Sequence, residues 1–199
     1  INTSQVPGAW VPTGTYARGL QYMLEGCSDE ILSVDTRETA DFQKATYMPN
    51  NPPLLCFWRA FFAGISRCNF LLDNIDNITW EENAKTQFVS EARFLRAFYY
   101  YHLAACFGGV PINDNSNPDP KAARESLEDV YNFIIADLDY AYKNLNDEGI
   151  LTSSANKWTA GAYLGMVYNY LASCKRYNVG ESLLAEQPLN SFAWVDADK

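Results

Sequence analysis

The sequence predicts an all-α fold of antiparallel helix pairs, and three observations carry that expectation. Apolar residues recur three or four positions apart through several long stretches, the period of a helix with one buried face. Gly and Pro clusters fall between those stretches and not inside them. The last long stretch contains Ala160, Gly161, Ala162 and Gly165, small residues that let a second helix approach closely.

Taken in order, residues Ile1 to Gly14 are polar and broken by Pro7, Gly8, Pro12 and Gly14, which reads as extended leading chain. A short helix is expected from Thr15 to Leu24, ended by Gly26. Cys27 to Asn51 mixes Ser, Asp, Thr and Asn without regular spacing and is expected to be a long irregular loop, the kind of segment that often carries function. Pro52 and Pro53 open a helix predicted over Leu54 to Ile75, where a missing N–H costs little because first-turn donors have no intrahelical partner.

The longest helix is expected from Trp80 to Phe107, with Thr79 as N-cap and Glu81 and Glu82 in its first turn. Phe88, Ala92, Leu95, Tyr99, His102 and Cys106 form one apolar row, and Phe94, Phe98, Tyr101 and Ala105 a second, so burial on both sides is predicted. Gly108-Gly109 stops it and Pro111 forbids its continuation. After a Pro, Asn and Asp loop, Ser126 and Asp129 give a capping signal for a helix to Asn144, with Leu127, Val130, Ile134, Leu138 and Tyr142 inward. A final helix is predicted from Ser154 to Lys175, and its Leu164-Gly165-x-x-Tyr168 matches part of the tetratricopeptide pattern. Ser191-Phe-Ala-Trp194 reads as the capped start of another helix. The expected architecture is therefore tetratricopeptide-like: one helical domain over residues 1–199, an α-α superhelix with long irregular loops. The chain is expected to break off within a longer natural protein.

Composition narrows the function. The net charge of −9 and the lack of any dense Lys or Arg run argue against nucleic acid or anionic lipid as partners. No apolar run reaches the ~18 to 20 residues that span a bilayer. The five cysteines show no metal-ligand spacing and read as small buried hydrophobes. The single histidine, His102, sits mid-helix among apolar neighbours and reads as a packed core residue. No metal or other cofactor is expected, and no nucleophilic catalytic pair.

Several landmarks follow one another in a recognisable order. They are Trp58 with Ile65-Ser-Arg-Cys-Asn69, then Glu91-Ala-Arg-Phe-Leu-Arg-Ala97, Phe107-Gly-Gly-Val-Pro-Ile112, Val130-Tyr131, Asp137-Leu138 and Lys157 to Tyr168. This succession resembles the N-terminal part of the SusD/RagB family of Bacteroidetes outer-membrane nutrient-binding lipoproteins. Cys68 departs from the family's usual Ala, and Trp158 from a smaller residue. The resemblance implies a non-catalytic, surface-exposed protein anchored to the outer membrane through an N-terminal lipidated cysteine that is absent from this sequence. It also implies partners: an oligosaccharide or other nutrient as ligand, and a TonB-dependent (SusC-like) transporter that receives it.

Sugar capture needs exposed aromatic faces together with amide and charged groups for hydroxyls. Among aromatics not claimed by a helical row, Tyr47 with Arg37, Asn50 and Asn51 is the expected ligand-binding group, and Trp10 is the next candidate. Trp58 and Trp158 are read as core. Arg93 or Arg96 is expected to reach backbone or Asn69, with Glu91 paired, because a charge near a buried helix needs a partner. Asp29, Glu30, Asp35, Glu38 and Asp41 read as a solvated acidic loop in preference to a glycosidase pair, and Asp114, Asn115, Asn117 and Asp119 as a turn in preference to a calcium loop. The alternative function is a helical-repeat adaptor that binds a peptide in a groove between successive helix pairs.

Overall fold

The structure is a computed structural model that describes residues 40–179, 181 and 188–196. The expected helix at Thr15–Leu24, and Cys27, Asp29, Glu30, Asp35 and Glu38, lie outside the described residues. Helix α1 (Ala40–Gln43) is a single turn, α2 spans Pro52–Asn74, α3 Glu82–Phe107, α4 Leu127–Asn144 and α5 Lys157–Arg176, with 3-10 turns at Ile75–Asn77 and Pro188–Asn190. No strand occurs among the described residues. Two compact units divide within α2, one ending at Ala63 and the other starting at Gly64.

In the first unit, α2 begins two residues before the expected Leu54, because the Asn51 carbonyl already accepts from the Leu55 amide at 3.3 Å. Phe57 and Phe61, one turn apart, stack at 4.0 Å and are both buried. Trp58 packs on Phe62 at 4.7 Å and is half-buried.

The second unit is built on α3. Thr79 does not cap it: the helix starts at Glu82, with Glu81 in the cap position making no side-chain cap bond. Trp80 stays outside the helix, 47% exposed, with its ring 4.8 Å from Phe88. The buried face of α3 also differs from the expected apolar rows. Ser90, Ala97, Tyr100 and Leu103 are the fully enclosed positions, whereas Leu95 and Ala105 are exposed. Polar side chains hold the inner face because each finds a partner, as Ser90 does by donating to the Thr86 carbonyl at 2.6 Å.

Gly108 ends α3 at φ 70, a conformation that glycine alone adopts without cost, and its amide closes the last turn on Ala104. Ser126 caps α4 as expected by accepting from the Asp129 amide at 3.1 Å, and Leu127, Val130, Ile134 and Leu138 are buried. The α3–α4 pair is antiparallel. Gln87, near the start of α3, donates to the Asn144 carbonyl and accepts from the Asn146 amide at the end of α4.

Helix α5 returns antiparallel to α4, with the Tyr142 ring against Gly161 at one end and Tyr131 near Tyr170 at the other. A Cβ on Gly161 would stand 3.0 Å from the Tyr142 ring, and Ala160 is buried, so the expected close approach holds there; it does not hold at Ala162 and Gly165, which are exposed, a Cβ on Gly165 meeting nothing within 4 Å. The helix starts at Lys157 and not Ser154, because Asn156 is its cap, accepting from the Thr159 amide at 2.8 Å and from the Thr159 hydroxyl at 2.9 Å. Replacing Asn156 with alanine is expected to cost about 1 kcal/mol, measurable as a lower midpoint in a helix-monitored thermal melt. At the far end Asn178 takes a left-handed conformation, φ 50, and the Val179 amide reaches back to the Cys174 carbonyl.

Two expectations fail here. Trp158 is 60% exposed, with the Lys157 ammonium 5.7 Å from its ring, so it is not core. Ser191 to Trp194 forms a turn held by side-chain bonds and does not start a helix among the described residues.

Candidate functional site

Of the expected ligand-binding residues, Tyr47, Asn50 and Asn51 are described, and Trp10 and Arg37 lie outside the described residues. The Phe42 side chain, 3% exposed, supports the Tyr47 ring in a near-parallel stack at 5.0 Å and 22°. Tyr47 remains 48% exposed and Met48 64%. The chain then turns through Met48-Pro49-Asn50-Asn51, closed by the Asn51 amide on the Met48 carbonyl at 2.9 Å, with proline at the position where its fixed φ suits a β-turn. Asn50 is exposed, while Asn51 is 5% exposed and lends its carbonyl to the first turn of α2. The result is a half-exposed aromatic ring stacked on Phe42 beside a hydrogen-bonded turn.

A buried charge cluster organises the second unit. Arg96 binds Asp137 through two parallel bonds, Nε to Oδ2 at 2.7 Å and Nη2 to Oδ1 at 2.9 Å, and its Nη1 donates to Asn69 Oδ1 at 2.8 Å. Asn69 spends its own amide hydrogens on the carbonyls of Asn113 and Asn115 at 2.8 and 3.0 Å. Arg93 adds a longer contact to Asp137 at 3.8 Å while lying over the Tyr140 ring. The expected Arg96 to Asn69 contact is therefore present, but the carboxylate that neutralises the arginines is Asp137. Glu91 forms no ion pair among the described residues. Burial pushes the Asp137 carboxyl up, and the two guanidinium groups pull it back.

The same cluster fixes the loop after α3. Tyr100, fully buried with its phenol pushed up to about 12 by burial, accepts from the Asn113 amide at 2.7 Å. Asp73 accepts from the Ser116 amide at 2.7 Å. Asn117 donates through its amide to Asn115, and Lys121 likewise to Asp119, so these side chains shape a turn. Among the described residues no group of His, Cys, Asp and Glu is arranged to hold a metal ion. His102 packs edge-on to Phe98 at 4.6 Å and Tyr101 at 5.4 Å, and burial holds its imidazole down at about 4. Burial likewise pushes the Cys68 and Cys106 thiols up to about 11, away from reactive thiolate.

A groove of about 600 Å³ opens between α4, α5 and the segment 194–196, with Asn132, Tyr168, Asn169 and Trp194 in its lining. Sequence reading missed it, because its lining comes from stretches far apart in the chain and becomes contiguous only when α5 packs on α4. At about 100° per residue Tyr168 falls beside the buried face of α5, about 60° from Leu171 and about 100° from Val167, so spacing alone did not single it out.

Comparison with known proteins agrees with this architecture. Residues 21–169 match the SusD-like family model described as starch-binding and associating with the outer membrane. A SusD-like protein of Formosa agariphila is 35% identical over 149 residues, covering 73% of this chain and 29% of its own length. A laminarin-binding SusD-like protein superposes with a TM-score of 0.65 at 29% identity, over 72% of this chain and 32% of that one. A structure solved with a xylogluco-oligosaccharide superposes with a TM-score of 0.69 at 26% identity, over 78% and 31%. The chain thus spans about a third of the length of these proteins, and its helix pairs are of the tetratricopeptide kind. With the family model covering most of the chain and the helical layout matching relatives solved in three dimensions, the chain belongs to the SusD-like family.

Proposed function

We propose that this chain is part of a cell-surface protein that captures oligosaccharides without cleaving them and delivers them to a TonB-dependent outer-membrane transporter. The observation that carries this reading is the family match over residues 21–169, supported by relatives whose names record laminarin binding and a bound xylogluco-oligosaccharide. Membrane attachment through a lipidated cysteine ahead of Ile1 belongs to the same proposal. The gene sequence upstream of Ile1 tests it, and a plain cytosolic start would overturn that part.

Ligand contact is assigned to Tyr47 and Asn50, with Asn51 shaping the turn; Arg37 and, after it, Trp10 remain candidates outside the described residues. A tyrosine ring held by Phe42 offers a flat apolar face to sugar C–H groups at little entropic cost, and the neighbouring amide suits hydroxyls. Titration calorimetry of the full-length protein against laminarin and xyloglucan oligosaccharides, followed by a wider panel, tests the reading. Tyr47→Ala is expected to weaken binding about tenfold, equivalent to about 1.4 kcal/mol, with an unchanged melt. Silence of the wild type across the panel would sink the glycan reading.

A further inference from the structure

We propose that the groove between α4, α5 and residues 194–196 is a second binding subsite for a neutral oligosaccharide; its ligand class rests on the glycan reading above. Its volume of about 600 Å³ lies in the range of small-molecule sites. The chemistry of its walls is that of sugar recognition, with aromatic faces beside amides and a carboxylate. Tyr168 is 48% exposed, and no ring stacks on it among the described residues. Asn132 on α4 and Asn169 on α5 are exposed, and neither side chain makes a hydrogen bond within the described protein, so both amides are open to ligand hydroxyls. Glu128 adds a carboxylate to the lining, which accepts from hydroxyls and repels anionic glycans. The chain's net charge of −9 points the same way.

Trp194 supplies the third wall and is held in place before any ligand arrives. Its indole N–H donates to the Ser191 carbonyl at 2.8 Å, and its ring lies 6.4 Å from that of the fully buried Tyr131. The Lys175 ammonium donates to the Ala193 carbonyl at 2.9 Å, and Phe192, 8% exposed, packs between Tyr131 and Tyr170. The segment is thus fastened to both helices, and binding need not spend energy on ordering the tryptophan.

The test uses the full-length protein and the variants Tyr168→Ala and Asn132→Ala/Asn169→Ala, all at exposed positions, titrated with the oligosaccharide that the wild type binds. Each is expected to weaken binding or lower the number of bound sugars, by about tenfold in affinity for the tyrosine, with an unchanged thermal midpoint. The effect should add to that of Tyr47→Ala, since the two subsites share no residue. Wild-type affinity and stoichiometry in these variants would overturn the groove assignment while leaving the Tyr47 site intact. A lowered midpoint with unchanged titration would overturn it too, marking the groove as a packing seat for other protein. A wild type that binds no neutral glycan would remove both readings together.

Discussion

Replacing Asp137 with alanine should lower the free energy of unfolding by about 3–5 kcal/mol, the cost of leaving a buried guanidinium without its carboxylate. Arg96 is 5% exposed and Asp137 2%, so water cannot take the place of the lost partner. Asn69 remains as a neutral acceptor and cannot balance the charge, while Arg93 adds a second positive group to the same neighbourhood. The damage should spread to the loop after α3. Arg96 orients Asn69, and Asn69 holds the carbonyls of Asn113 and Asn115. Denaturant unfolding measures the first effect and hydrogen exchange at the Asn113 amide the second. The paired replacement Arg96→Met/Asp137→Leu should recover much of the loss, since two apolar groups of similar size need no counter-charge. A single-variant loss below about 1 kcal/mol, the ordinary value for an exposed pair, would contradict the role assigned to the cluster.

The second large effect is a dependence of stability on pH carried by His102. Burial lowers its folded pKa from 6.5 to about 4, so between those values the unfolded chain binds a proton that the native state refuses. Stability from this source is fully present above the unfolded value. It is lost as pH falls from about 6.5 to about 4, and is flat below. The full span corresponds to an upper figure of about 3 kcal/mol at 1.36 kcal/mol per pKa unit. Unfolding curves collected from pH 7 to pH 4 should show that slope, and His102→Gln, which cannot be protonated there, should remove it. A wild type equally stable at pH 7 and pH 4.5 would show that the imidazole charges freely within the fold.

Both predictions turn on side chains of α3, Arg96 and His102, and they show how unevenly its role could be read in advance. Asn69, Arg96 and Asp137 each stood in the sequence as separate landmarks of the family resemblance. Their meeting in one cluster has no local signature, because Arg96 lies 27 positions from Asn69 and 41 from Asp137 along the chain. Periodicity led instead to Leu95 as a core position. It locates a face only to within about one residue per turn, and at 100° per residue Leu95 and Arg96 are neighbours on opposite sides of its edge. The structure puts the arginine inside because Asp137 of α4 waits there. Helix starts were displaced for a related reason. Thr79 and Ser154 are good capping residues by type, but α3 begins at Glu82 without a side-chain cap, and Asn156 has the geometry to satisfy the first amides of α5.

Tyr47 could be picked out in the sequence as an aromatic outside any helical row, but its stack on Phe42 and the turn at Pro49 were not read there, although all lie within a few residues of one another. The groove could not be read there at all, since Asn132, Tyr168 and Trp194 become neighbours only through the packing of α5 on α4 and the docking of Phe192 against Tyr131. The sequence by itself determined the four long helices to within a few residues at their ends, the glycine stop at Gly108, the Ser126 cap and the family, all of which depend on spacing and on the conformational limits of single residues. Tertiary structure alone decided which side of α3 faces inward, which carboxylate neutralises Arg96 and where the groove between α4 and α5 opens. Those outcomes depend on pairings between distant segments, where the cost of an unpaired buried charge and the gain from burying apolar area are settled together.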